Sequence, residues 1–186
     1  FNDMLCSDLG PGNTIMDAYM QKHFGQAFDS DGAISSKGCV NQALLSKLLD
    51  NDFVGLELPK STGPEVFNLA YLQTAQEGSN TTYLKHEDVM ATLCEFSALL
   101  IAEQLNYLSE SKKQNVYASG GGVHNPILMQ RIQGLVSTDV VIENSNKIDL
   151  DPDAKEAILF AVLANECLVG KSTEFGVSMG KMSFPN

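Results

Sequence analysis

The sequence predicts an α/β fold in which short strands pair in parallel within a sheet flanked by helices. Three observations carry that prediction. Strand-like runs at residues 3–8, 116–119 and 140–142 are separated by segments of helical period, and strands divided by helices imply parallel pairing in a layered architecture. Two of the three runs pass directly into glycines and then into a helix. No internal repeat, low-complexity tract or linker divides the chain, so one domain is expected.

In chain order, Met4-Leu5-Cys6 begins a strand over 3–8 that ends in Gly10-Pro11-Gly12-Asn13, and Ile15, Met16, Tyr19, Met20 and Phe24 then repeat at helical spacing. A turn at Asp29-Ser30-Asp31-Gly32 leads to a helix near 40–50, with Val40, Leu44, Leu45, Leu48 and Leu49 on one face. Residues 59–64 (PKSTGP) form a loop, because Pro59 and Pro64 resist helix and Gly63 permits a turn. The longest helix is expected over 87–108. Glu87 and Asp88 favour its positive end, and Val89, Leu93, Phe96, Leu100 and Ile101 form its apolar stripe. Val116 to Ser119 is a strand running into Gly120-Gly121-Gly122, and Pro126 opens a helix to Leu135. Val140 to Ile142 is the third strand, and a last helix is expected over 152–168. Three strands make a thin sheet with an open edge. The chain starts at Phe1 and not at Met, so a piece of a longer protein is expected.

Composition narrows the function. Of 186 residues, 44% are hydrophobic and 19% charged, too apolar for a disordered chain and sufficient for a core. Twelve Lys plus Arg stand against 23 Asp plus Glu, a net charge of -11. That balance opposes nucleic acid and anionic membrane surfaces as partners, since both need clustered cations. The most apolar stretch, 89–108, carries Glu95, Glu103, Gln104 and Asn106, and no signal segment opens the chain. A cytoplasmic location is expected. Cys6, Cys39, Cys94 and Cys167 show no metal-ligand spacing, so no metal site is assigned and buried free thiols are expected.

In open α/β sheets, ligands bind beyond the carboxyl ends of the strands, where glycines let the backbone approach phosphate and a helix N-terminus offers free N–H groups. The glycine turns at Gly10 and Gly12 and at Gly120, Gly121 and Gly122 are therefore candidates for a nucleotide or phosphate site. Asp8 stands where the first strand meets its turn. As a general base it needs only to reach a water or hydroxyl proton, while a solvated turn aspartate or a helix cap is the plainer reading of the same position. Asp17 and Glu156 are surface charges by default, and of the three histidines only His124, beside the triple glycine, is placed to meet a ligand. Gly170-Lys171-Ser172-Thr173 and Lys60-Ser61-Thr62 imitate a phosphate loop but lack its earlier glycines. Asp29-Ser30-Asp31-Gly32 lacks the glutamate of a calcium loop, since Gly38 stands there.

Several ordered segments together resemble the anhydro-N-acetylmuramic acid kinase family. Asp8-Leu9-Gly10-Pro11-Gly12-Asn13 with Ile15 to Met20 is similar to its D-x-GPGN…D-A-x-M segment. Phe28 to Ala33, Pro59 to Gly63 with Phe67-Asn68-Leu69, Asp88 to Leu93, Gly120 to Pro126, and Ala154 to Ala157 with Phe160-Ala161 follow in the family's order. Pro64 departs from the arginine usual after STG, and Cys6-Ser7 depart before Asp8, where phenylalanine is common. The resemblance implies an RNase H-like domain of the actin-like ATPase superfamily. Residues 1–186 would be the C-terminal nucleotide- and sugar-binding domain of a two-domain kinase, without its N-terminal domain and G-T-S-x-D-G loop and without the first strands of its own sheet. It further implies ATP and Mg2+ as cofactors and an amino sugar as substrate. The reaction would open the 1,6-anhydro ring by hydrolysis and phosphorylate the 6-oxygen, in cell-wall recycling. Asp8 would be the catalytic base, Gly10, Gly12 and Asn13 would border the phosphate region, Gly120, Gly121, Gly122 and Asn125 the nucleotide, and Asp17 and Glu156 would be sugar or magnesium-water contacts. This chain by itself is expected to be inactive. The alternatives are another actin-like sugar or acid kinase, or a non-catalytic module whose open sheet edge pairs with a partner or a second copy as a homodimer.

Overall fold

The computed structural model describes residues 5–109 and 112–169. Six helices and two strands follow in the order α1 (Thr14–Phe24), α2 (Gln42–Leu49), α3 (Leu69–Gly78), α4 (His86–Ser109), β1 (Gln114–Ala118), α5 (Pro126–Leu135), β2 (Val140–Asn144) and α6 (Lys155–Val169). Short 3-10 turns occupy Ser30–Gly32, Ser35–Lys37, Gly121–His124 and Ser145–Ile148. The fold is thus helix-rich α/β. β1 and β2 pair in parallel from Gln114 opposite Val140 to Ala118 opposite Asn144, and α5 is the crossover that parallel pairing requires.

The expected first strand is a correction. Residues 5–9 belong to no sheet, and residues 3 and 4 lie outside the described residues. An isolated extended segment becomes a strand only when a neighbour takes its N–H and C=O groups. Here the backbone contact is a single hydrogen bond from the Asp8 N–H to the Lys60 carbonyl (2.9 Å). Among the described residues the sheet therefore has two strands and not three.

The core forms around α4. Every residue from Val89 to Ala98 is buried, more than the single apolar stripe that the sequence suggests. An all-round apolar helix belongs at the centre of a fold, and α1, α2 and α5 pack around this one. Ile15, Met16, Tyr19 and Met20 of α1 and Leu44, Leu45 and Leu48 of α2 face it. Leu128 and Ile132 of α5 close the other side. Phe67 joins Phe53, Tyr71 and Phe96 through edge-to-face contacts at 5.2–6.1 Å, a geometry that aromatic rings favour. The Tyr71 hydroxyl donates to the Leu48 carbonyl and ties α3 to α2. Burial drives that hydroxyl's pKa to about 12.

α3 is absent from the sequence expectation, although Asn68 marks its start by accepting from the N–H groups of Ala70 and Tyr71. α6 begins at Lys155, three residues later than expected, and none of its residues is buried. Of the thiols expected inside, Cys94 is buried but Cys6 and Cys39 are exposed. Both exposed cysteines lie outside helices and strands, where no helix face dictates their burial. The rejected phosphate-loop imitation at 170–173 lies outside the described residues. Among those residues no helix is long and apolar enough to cross a membrane.

Candidate active site at two glycine turns

The two glycine turns lie 108 residues apart in sequence and meet in space through Asn13. A methyl group at Gly122 would stand 3.0 Å from the Asn13 Oδ1 atom, and one at Gly121 would stand 3.5 Å from its Nδ2. Both turns need their glycines, since Gly12 has φ +53° and Gly120 φ +87°, a region where a side chain is strained. The first turn is pinned from beneath. The Ser97 hydroxyl of α4 donates to the Gly12 carbonyl (2.6 Å), and Gly10 lies so close to Leu100 that an added methyl would come within 2.5 Å of it. The second turn is pinned from α6's side by a hydrogen bond from the Gly120 N–H to the Pro152 carbonyl (2.9 Å).

Between the turns and the sheet lies a cavity of about 320 Å³, within the lower range of small-molecule sites. Gly12, Asn13 and Gly120 to Gly122 form its polar rim, and Ile101, Leu105, Val116, Leu128 and Ile142 form its apolar walls. A second recess of about 30 Å³ holds Asn13, Asp17, Asp29, His124 and Asn125. Asp17 is half buried and accepts weakly from the Asn13 amide (3.4 Å). Burial pushes its carboxyl above the usual range, the Asn13 hydrogen bond opposes the shift, and the nearby Asp29 charge adds to it. Asp29 is buried, and both of its oxygens accept backbone N–H bonds, from Ile34 (2.8 Å) and Ser35 (3.0 Å). That carboxylate therefore shapes the 29–35 turn.

The helix starts differ in a way that matters for phosphate. Asn13 makes no side-chain cap to α1; the Thr14 N–H donates to the Pro11 carbonyl (2.9 Å), and the N–H groups of Ile15 and Met16 are left without a side-chain acceptor. Asn125 instead caps α5, its Oδ1 accepting from the N–H groups of Ile127 (3.0 Å) and Leu128 (3.1 Å). Its carbonyl oxygen is thereby engaged, and a ligand would meet its amide group.

Asp8 lines neither recess. It is exposed, and it does not cap α1; its Oδ2 accepts from the Ser61 hydroxyl (3.0 Å) and the Thr62 N–H (2.8 Å). The PKSTGP loop, whose contact with Asp8 the sequence does not reveal, thus holds the candidate base. Pro64 leaves that loop intact, its carbonyl accepting from the Asn68 amide (2.9 Å). Glu156 is exposed on the first turn of α6 and lines neither recess. His124 binds the exposed Asp153 (2.8 Å). Ser61, Thr62, Ser97 and Asp153 escape sequence reasoning, because each acts across 29 to 85 residues of chain. Among the described residues no three His, Cys, Asp or Glu side chains are placed to hold a metal ion.

Fold and site together define an α/β protein whose parallel strands run toward paired glycine turns around an apolar-walled cavity. The chain belongs to the anhydro-N-acetylmuramic acid kinase family, whose model matches residues 2–178. It is 53% identical over 190 residues to the anhydro-N-acetylmuramic acid kinase of Pseudoalteromonas atlantica, covering 97% of this chain and 47% of the relative. The corresponding kinase of Pseudoalteromonas translucida is 50% identical, with 98% and 48% covered. That of Vibrio cholerae is 40% identical over 163 residues, with 88% and 43% covered. The chain spans about half the length of the curated relatives it matches.

Proposed function

We propose that this chain is the C-terminal, RNase H-like domain of an ATP-dependent kinase that opens the 1,6-anhydro ring of anhydro-N-acetylmuramic acid and phosphorylates the freed 6-oxygen. The observation that carries the reading is the meeting of the two glycine turns through Asn13 above an apolar cavity. Backbone N–H groups of the Gly12 and Gly121–Gly122 turns and the uncapped start of α1 suit the phosphates, and the apolar walls suit a purine. Phosphoryl transfer depends mainly on positioning and charge neutralisation. Such a rim supplies both without cationic side chains.

Asp8 serves as the base. Its Oδ2 is held by Ser61 and Thr62, and Oδ1 takes the proton of the water that attacks the anomeric carbon. The bond from that carbon to the 6-oxygen breaks, and the 6-oxygen attacks the γ-phosphorus as the bond to the β–γ bridging oxygen breaks and ADP leaves. Asp17 and Glu156 contact the sugar or magnesium-bound water. A magnesium ion carried by ATP needs only one or two protein carboxylates, so the half-buried Asp17 beside Asn13 fits it, and the ion would neutralise charge on the phosphates.

Two measurements test the reading. A slowly hydrolysed ATP analogue added to the isotope-labelled chain should shift the amide resonances of Gly12, Asn13, Gly121 and Gly122. In a complete kinase carrying this chain, Asp8→Asn should lower sugar turnover roughly 1,000-fold and leave those nucleotide shifts unchanged. An unshifted glycine set at saturating nucleotide would overturn the proposed ATP site. Turnover of a different sugar, with the anhydro sugar failing to compete, would reassign the substrate within the superfamily.

A further inference from the structure

Lys60 is buried, with 8% of its surface exposed, in a loop whose next two residues hold the Asp8 carboxylate. Its Nζ donates to the carbonyls of Phe53 (2.9 Å) and Val54 (3.1 Å) and stands 4.6 Å from the centroid of the Phe53 ring. A buried ammonium is costly unless its donors are satisfied. Among the described residues, two carbonyls and a ring satisfy this one, and no carboxylate pairs with it. Lys60 lines neither recess of the candidate site, so the lysine of the KST run is not a phosphate ligand here.

The backbone of Lys60 faces Asp8. Its carbonyl accepts from the Asp8 N–H (2.9 Å) and the Ser7 hydroxyl (3.1 Å), and its N–H donates to the Ser7 Oγ (2.8 Å). Phe53, whose carbonyl anchors the ammonium, is itself buried against Phe67 at 5.5 Å. A continuous chain of contacts runs from the aromatic core to the 53–54 carbonyls, to Lys60, to Ser61 and Thr62, and to Asp8. Geometry held this way matters, because small misplacements of a reacting group are costly in rate.

We infer that Lys60 is a positioning residue: it acts through the Ser61–Thr62 segment to hold the Asp8 carboxylate with Oδ1 free for the water. The inference rests on the reading of Asp8 as the base, and the test separates the two. Lys60→Met removes the charge and both hydrogen bonds at similar volume. In the 186-residue chain it should speed amide exchange at Thr62 and Asp8 at least about tenfold while α4 amides keep their protection. A complete kinase is obtained by joining this chain in frame to the part of the Pseudoalteromonas atlantica relative that it does not match. There Lys60→Met should lower kcat by about tenfold or more with the KM for ATP unchanged, and Ser61→Ala should act in the same direction more weakly. Lys60→Gln retains one donor and should fall between, deciding the matter if the methionine variant does not fold. Unchanged Thr62 exchange with unchanged kcat, or a raised ATP KM as the main effect, overturns the positioning role. Full activity in Asp8→Asn would instead overturn the reading of the base, whatever Lys60 does.

Discussion

At Asp17 the site and the stability of the fold pull against each other. Burial and the Asp29 charge raise its carboxyl above the ordinary value of 3.8. Between the unfolded and folded values the native state binds more protons than the unfolded one, so stability falls as pH rises through that window. The destabilisation is complete above the folded value and vanishes below the unfolded one. Asp17→Asn keeps an acceptor for Asn13 and removes the charge. It should therefore raise the melting temperature at pH 7, with the gain shrinking as the pH is brought to about 4. Thermal melts of both chains across that range check it, and a gain that grows on acidification would reverse the assignment. A residue that costs stability in place is the kind that function retains, and the same variant should weaken nucleotide or sugar use in a complete kinase. The glycines and Asn13 of this site were legible because a glycine turn opening a helix has a local signature, even though no strand precedes the first of them among the described residues. Ser61, Thr62 and Lys60 were not, because their link to Asp8 spans 52 to 54 residues and leaves no periodic trace.

Helices and strands were legible where one face repeats. α5 occupies Pro126–Leu135 as its proline and apolar spacing predict, and the strands on either side of it, β1 and β2, pair in parallel. The segment at 5–9 failed as a strand because strand identity depends on a partner that no local pattern supplies. α3 was hidden because Leu72 and Ala75 alone are buried along it, too few positions to set a period. Two contacts between elements give sharper tests. Gly38 lies against the start of α4 so closely that a methyl group would fall 1.9 Å from the Glu87 carbonyl oxygen and 2.7 Å from the Asp88 nitrogen. Neither atom can move without unwinding the helix start, where Asp88 also accepts from the Cys39 N–H (2.8 Å). Gly38→Ala should destabilise the fold by about 3 kcal/mol, read from urea midpoints, and a neutral result would mean that 38–41 does not dock on α4. Glu95 is buried on α4 and forms a two-bond pair with Arg131 of α5 at 2.5 Å each. That pair raises the arginine's pKa. Arg131→Met should cost about 3 kcal/mol, the low end for an orphaned buried charge, because Arg131 is itself half exposed and water can reach the gap. Adding Glu95→Gln should recover much of the loss. Equal loss in single and double variants would show that packing, and not charge, joins α4 to α5.

Across the whole molecule the apolar surface is unevenly covered. α6 carries Ile158, Leu159, Phe160 and Val162 at 44 to 67% exposure, although its composition is that of a helix meant for a core. The sheet, too, has only two strands among the described residues. Two paired strands are marginal without further strands or helices over them, and open edges invite pairing. A helix that leaves this much apolar side chain exposed is a candidate surface for another polypeptide. The chain spans about half the length of its relatives, so the expected cover in a complete kinase is the part it does not match. Two consequences can be measured. The 186-residue chain by itself should bind an apolar fluorophore and show concentration-dependent association in sedimentation velocity, and Phe160→Glu with Leu159→Lys should reduce both. Joined to the unmatched part of the Pseudoalteromonas atlantica relative, it should lose the fluorophore signal without those substitutions. A chain that sediments as a monomer at all concentrations and leaves the fluorophore dark would show that α6 finds its own cover, and the exposed face would then carry no assembly role.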